Sequence, residues 1–164
     1  MKFVRILRRL SARSIARLAK LGLQFPRFVL PTLSATKRCM KISTDLYQRD
    51  HYKNGPANAF RHALWNYLIA KACFRLRKNR EKVLEWTCKI TDWHEEAFPN
   101  WELAQQMDLH NNEVGRFLFE KHPAKNELQM VQLLQQMTLS SIKVDSDSDL
   151  HKLRYHLIHI ADET

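Results

Sequence analysis

His62, His94 and Asp108 are the residues of this sequence best suited to chemistry, because imidazole nitrogen and carboxylate oxygen together suit zinc or a similar first-row ion. They lie in three dense polar clusters within otherwise apolar, helix-patterned sequence. These are Asn54-Gly-Pro-Ala-Asn-Ala-Phe-Arg-His-Ala-Leu-Trp-Asn66, then Asp92-Trp-His-Glu-Glu96, then Met107-Asp-Leu-His-Asn-Asn-Glu-Val-Gly-Arg116. Two histidines and a carboxylate drawn from different helices are a common ligand set for a catalytic divalent metal. Glu95 or Glu96, beside His94, is placed to act as general base on a metal-bound water, whose acidity the ion raises. Arg61 and Arg116 would hold an anionic substrate, with Asn58, Asn66, Asn111 and Asn112 orienting it or the ligands. A purely structural reading competes: Asp108 caps a helix, Asn111 and Asn112 satisfy loop carbonyls, and His62 bonds His94 or Glu95 with no metal. Polar groups at this density are expensive to bury for stability alone, which favours a site.

The first two clusters belong to a helix hairpin. Pro56 suits a first helical position with Asn54 as its cap, and the run of helix formers continues to the polar turn Arg77-Lys-Asn-Arg80. A second helix runs from about Glu81 to Phe98, where Pro99 stops it. His62 lies 17 residues before Asn79 in the turn and His94 lies 15 after it, so antiparallel pairing sets them at nearly one height. His62 continues an apolar stripe with Trp65, Ile69, Ala72 and Leu76, and His94 one with Val83, Trp86, Ile90 and Ala97, so both rings point inward. A third helix starts near Asp108 as its N-cap, with an inner row of Met107, Asn111, Val114 and Leu118. Gly115 in it allows another helix to come close.

Around this core, 164 residues with only 3 Gly and 5 Pro and little apolar–polar alternation predict an all-α protein, a single compact helical domain built on the hairpin. Residues 24–50 read as a connector broken by Pro26 and Pro31, plus a short helix from Met40 to Tyr47. Asn126 caps a fourth helix, Glu127 to Leu139. Asp145, Asp147 and Asp149 start like a calcium loop but lack its Gly and terminal Glu, so they read as a polar turn. A last helix is expected from Asp149 to about Ala161, with His151, His156 and His159 along it. Cys39, Cys73 and Cys88 form no CxxC pair and read as buried thiols in a reducing compartment.

Charge separates the chain into two regions. Residues 1–43 hold 11 Lys and Arg and no acid, whereas the remainder carries 16 basic and 17 acidic residues, so the formal excess of +10 belongs to the N-terminal part. Residues 1–30 form a basic amphipathic segment, helical to about Leu23, ahead of a helical domain over 31–164 with its motif core at 54–116. Arginines interrupt every apolar stretch of that segment, which argues against a signal peptide, and no run is long enough to span a bilayer. The helix either covers the domain with its arginines in water, or lies on an anionic membrane surface through residues 1–23, or, less specifically, binds nucleic acid. The expected location is cytoplasmic, peripheral at the membrane in the second case.

The ordered set Gly-Pro-x-Asn-Ala-Phe-Arg-His-Ala-x-Trp-Asn, His-Glu and Met-Asp-Leu-His-Asn-Asn-x-x-Gly-Arg resembles an uncharacterised bacterial domain family that also occurs at the C-termini of toxin-like secreted proteins, over roughly residues 50–122. The order His, His-acidic pair, Asp is also similar to that of HD-type phosphohydrolases, with Glu95 in place of the second-motif Asp. Residues and resemblance together point to a metal-dependent hydrolase acting on a phosphate ester or another anionic small-molecule or lipid substrate. The alternative is a non-enzymatic helical binding module recruited to a membrane or partner by its basic N-terminal helix.

Overall fold

A computed structural model of the chain describes residues 10–161. The helix starts follow local chemistry. Ser11 accepts a hydrogen bond from the Ser14 amide and opens α1, Ala12–Gln24. Phe25 breaks the chain direction, and Pro26 occupies the first position of α2, Pro26–Tyr47. This helix is much longer than the expected Met40–Tyr47 element. Pro31 does not break it, because near the helix start its missing N–H forfeits only the bond to the Arg27 carbonyl. The boundary drawn at residue 30 therefore falls inside α2. Residues 1–9 of the expected N-terminal helix lie outside the described residues.

The hairpin forms as the sequence predicts, from α3, Pro56–Leu76, and α4, Arg80–Ala97, with the Asn79 side chain accepting from the Lys82 amide at 2.8 Å. Asn54 is not the cap of α3. Gly55 takes that position, and the Asn54 carbonyl instead accepts from the Ile160 and Ala161 amides. α5, Glu102–Lys121, starts six residues before Asp108, so Asp108 is a helix-interior residue rather than a cap; Asn100 takes the Trp101 amide, and Glu102 complements the first turn. α6, Glu127–Leu139, is capped by Asn126 as the sequence indicates, and Gln129 completes a reciprocal capping box with it.

Among the described residues the fold is all-α apart from one two-residue parallel pairing of β1, Ile142–Lys143, with β2, Ile158–His159. The helix expected over Asp149–Ala161 is absent: Asp149 caps only a short 3-10 turn, Leu150–Leu153, and the chain then extends. The Asn111 side chain explains why, since it donates to the Ile158 carbonyl at 2.9 Å and accepts from its amide at 3.0 Å, replacing helical partners with strand-like ones. Asp145 accepts from the Asp147 amide and the Ser148 hydroxyl, forming the polar turn the sequence implies.

α3 is the central helix, buried on most of its circumference and packed against α2, α4, α5 and α6. Its closest neighbour is α5. A Cβ on Gly115 would stand 2.2 Å from the Ala63 carbonyl oxygen, so only glycine lets the two backbones meet there. α1 lies on α4: the Trp93 indole donates to the Ser14 carbonyl at 2.9 Å, and Arg17 pairs with Glu96. Leu18 and Leu21 face the core, so the apolar stripe of α1 is used inside the protein.

Candidate functional site

α3, α4 and α5 converge on His62, which is buried to 2% exposure. Its Nδ1 lies 3.1 Å from Asn112 Oδ1, an acceptor, so Nδ1 carries the proton and donates. Nε2 then keeps its lone pair and accepts from the Arg61 guanidinium at 2.7 Å. Asp108 Oδ1 stands 3.3 Å from the same Nε2. Glu95 Oε1 is the meeting point on the other side of the ring, 3.6 Å from His62 Nδ1, 3.4 Å from His94 Nδ1, and accepting from Asn112 Nδ2 at 3.1 Å. The two histidines thus share one carboxylate.

Asn66, Thr91 and Arg116 extend the network. Asn66 donates to Asn112 Oδ1 at 2.7 Å and accepts from the Thr91 hydroxyl and from Arg116 Nη1, at 3.2 and 3.1 Å. Thr91 is not among the residues expected at the site, yet helical spacing signals it: it stands one turn before Glu95 on the same helix.

Burial sorts the charges. His62 is pushed down to about 3 by its loss of water and by the adjacent Arg61 guanidinium, so it is neutral at physiological pH. Asp108 is pushed up to about 7 by burial and by the Glu95 charge, and its Oδ1 accepts no hydrogen bond. Burial also pushes Glu95 upward, but donation from His94 and Asn112 outweighs it and holds this carboxyl below its ordinary value. Two carboxyl groups on either side of one imidazole are therefore driven apart, Glu95 ionised and Asp108 inclined to keep its proton.

A small pocket of about 110 Å³ adjoins the imidazole, bounded by Thr36, Cys39, Arg61, His62, Trp65 and His94. Trp65 is fixed by donating to Thr36 Oγ1 at 2.8 Å, and the half-exposed His94 ring packs edge-on against it with centroids 5.0 Å apart. Cys39 is no nucleophile, since burial pushes its thiol to about 12. Cys39, Cys73 and Cys88 are all free.

Other expected site residues are placed elsewhere. Glu96 is on the surface, paired with Arg17. Asn58 donates to the Lys53 carbonyl and holds the turn before α3. Asn111 clamps β2, as described. Arg116 borders pockets toward Glu113 and Arg154, not the one that Arg61 borders, so the two guanidiniums do not form one clamp. As placed, His62, His94 and Asp108 do not make a metal cage: the His62 lone pair is taken by Arg61, and His94 meets Glu95 on the far side of the ring. Among the described residues no three His, Cys, Asp or Glu side chains gather as a metal ligand set, and this includes His151, His156 and His159. No helix among the described residues is long and apolar enough to cross a membrane.

No curated protein and no solved structure matches this chain. A family profile does, over residues 19–142, a span that takes in α2 to α6 and every member of the network around His62. The chain accordingly belongs to the family described as a domain of unknown function, DUF6973.

Proposed function

We propose that the chain is a small hydrolase for a phosphate ester or similar anionic ester, working by acid–base chemistry at His62. The observation that carries this reading is the division of labour on one buried imidazole, with Nδ1 tied to Asn112 and Glu95 while Nε2 faces Arg61 beside a pocket. In the free protein Arg61 blocks the lone pair and lowers its basicity. An anionic substrate in the pocket draws the guanidinium onto itself, which frees Nε2 and removes the charge that opposed protonation. Nε2 then takes the proton of an attacking water, Glu95 steadies the imidazolium from the Nδ1 side, and Nε2 returns the proton to the leaving oxygen. Asp108 stays neutral below about pH 7 and so adds no negative charge where the anion binds. The arrangement is similar to HD-type phosphohydrolases only in the order of its residues, and no step here passes through a metal.

The test is a panel of aryl phosphate mono- and diesters and carboxylic esters, assayed with the native protein, Glu95→Gln and Arg61→Gln. Glu95→Gln lowers turnover by about a hundredfold, as positioned acid–base groups typically contribute, and keeps the melting temperature close to native. Arg61→Gln chiefly raises KM for the anionic esters. A fully active Glu95→Gln protein, or no hydrolysis of any ester by the native protein, returns the network to a structural role and favours the binding module.

A further inference from the structure

A second site lies at the opposite use of charge. Where α1 gives way to α2, the chain packs beside the α3–α4 turn and encloses a pocket of about 470 Å³. Arg27, Arg77, Lys82 and Lys89 border it, with Glu85 the one acidic residue and Phe25 forming part of its wall. Glu85 is engaged by Lys89, one turn along α4. Among the described residues no ion pair is made by Arg27, Arg77 or Lys82. Three cations without a counter-ion among the described residues therefore border a cavity of a size that suits a headgroup.

The apolar surroundings decide what kind of anion fits. Leu23, Leu30 and Leu76 are 82%, 75% and 64% exposed, and each stands within three residues of a pocket-lining residue: Gln24, Arg27 and Arg77 respectively. Large apolar side chains left in water beside unpaired cations match the headgroup boundary of an anionic bilayer, where leucine enters the acyl region and Lys or Arg meets phosphate. A soluble phosphate would use the cations and leave the leucines without purpose. The apolar stripe of α1 is already spent on α4, so it does not supply this contact.

We propose that the α1–α2 junction and the α3–α4 turn form a docking surface for an anionic lipid bilayer, with lipid phosphate in the basic pocket and Leu23, Leu30 and Leu76 inserted around it. The variants below leave the cations of residues 1–9 unchanged.

The experiment is co-sedimentation of the full chain with phosphatidylcholine vesicles, with and without phosphatidylserine. Three proteins are compared: native, Arg77→Ala with Lys82→Ala, and Leu23→Ser with Leu30→Ser. All these positions are exposed, so thermal melting should stay at the native value. The charge variant should lose roughly tenfold or more in apparent affinity for the phosphatidylserine vesicles, at about 1 kcal/mol per basic residue near the surface. The leucine variant should lose affinity that added salt does not mimic. Native-like binding by either variant overturns the proposal. So does competition by inorganic phosphate at the strength of the vesicles, or retention of duplex DNA in place of vesicles with the same loss in the charge variant.

Discussion

The cluster around His62 and the basic pocket at the α1–α2 junction treat charge in opposite ways. In the cluster, His62, Glu95, Asn66 and Asn112 each face named partners within about the reach of a hydrogen bond, and Asp108 answers its lack of donors by holding its proton. In the pocket, Arg27, Arg77 and Lys82 have no counter-ion among the described residues. The difference follows from solvent. A buried polar group without a partner costs the full loss of its hydration, whereas an exposed cation stays hydrated and costs nothing to leave unpaired. Residues of the cluster therefore serve fold and chemistry at once, and residues of the pocket are free to serve binding alone.

The largest loss is expected at Asn112. Its carboxamide accepts from His62 Nδ1 and Asn66 Nδ2 and donates to Glu95 Oε1, so Asn112→Leu leaves the buried His62 Nδ1 without its acceptor and takes one partner each from Asn66, which keeps the His62 carbonyl, and from Glu95, which keeps His94. Unpaired buried groups cost about 1 to 3 kcal/mol each, and the variant should lose about 3 kcal/mol in denaturant unfolding. Arg77→Ala, the matched change in the basic pocket, should stay within about 0.5 kcal/mol of native by the same measurement. Equal losses would erase the distinction between the two regions.

Acid sharpens the same contrast with a smaller effect. Asp108 rises from 3.8 to about 7 on folding, so it contributes stability that is fully present below about pH 4 and is lost as pH rises to about 7. His62 falls from 6.5 to about 3, so its contribution is present above about pH 6.5 and is lost as pH falls to about 3. Between about pH 4 and 6.5 the two slopes oppose each other, each tending toward about 1.4 kcal/mol per pH unit. Unfolding free energies across this range should give two difference curves of opposite sign. Native minus Asp108→Asn falls with pH, and native minus His62→Gln rises. Parallel curves would mean that Asp108 and His62 are not held in opposite protonation states.

Local chemistry made much of this legible in the sequence. Pro56, the Arg77–Arg80 turn, Pro99 and the Asn126 cap each act within a few residues, and they bound α3, α4 and α6 as expected. The heights of His62 and His94 also follow from counting along a hairpin, and Glu95 Oε1 lies between their rings. What escaped depends on distant partners. β2 exists because Asn111, 47 residues earlier, bonds Ile158, and no local signal marks that segment as anything other than helix. α5 begins at Trp101 and Glu102 without a side-chain cap, so Asp108 offered a stronger start signal than the true one. Helical spacing put His94 on the inner face but did not reveal that Trp65 and Phe98 would hold its ring at the rim, apart from the His62–Asp108 axis.

Glu95 and Glu96 carry the comparison down to adjacent residues and to its smallest expected effect. Glu95 is 5% exposed and meets His62, His94 and Asn112, whereas the Glu96 side chain is half in water and its partner Arg17 equally so. Exposed pairs of this kind gain little, because water screens the attraction and two long side chains must give up rotamer freedom, leaving a median contribution of about 0 to 1 kcal/mol. Glu96→Gln should therefore lower the unfolding free energy by less than about 1 kcal/mol, and high salt should abolish even that difference. Ester hydrolysis, if it occurs at His62, should be unchanged in Glu96→Gln at concentrations that saturate the native protein. A Glu96→Gln protein as inactive as Glu95→Gln would place the working carboxylate on the wrong residue, and with it the side of the imidazole from which the proton is managed.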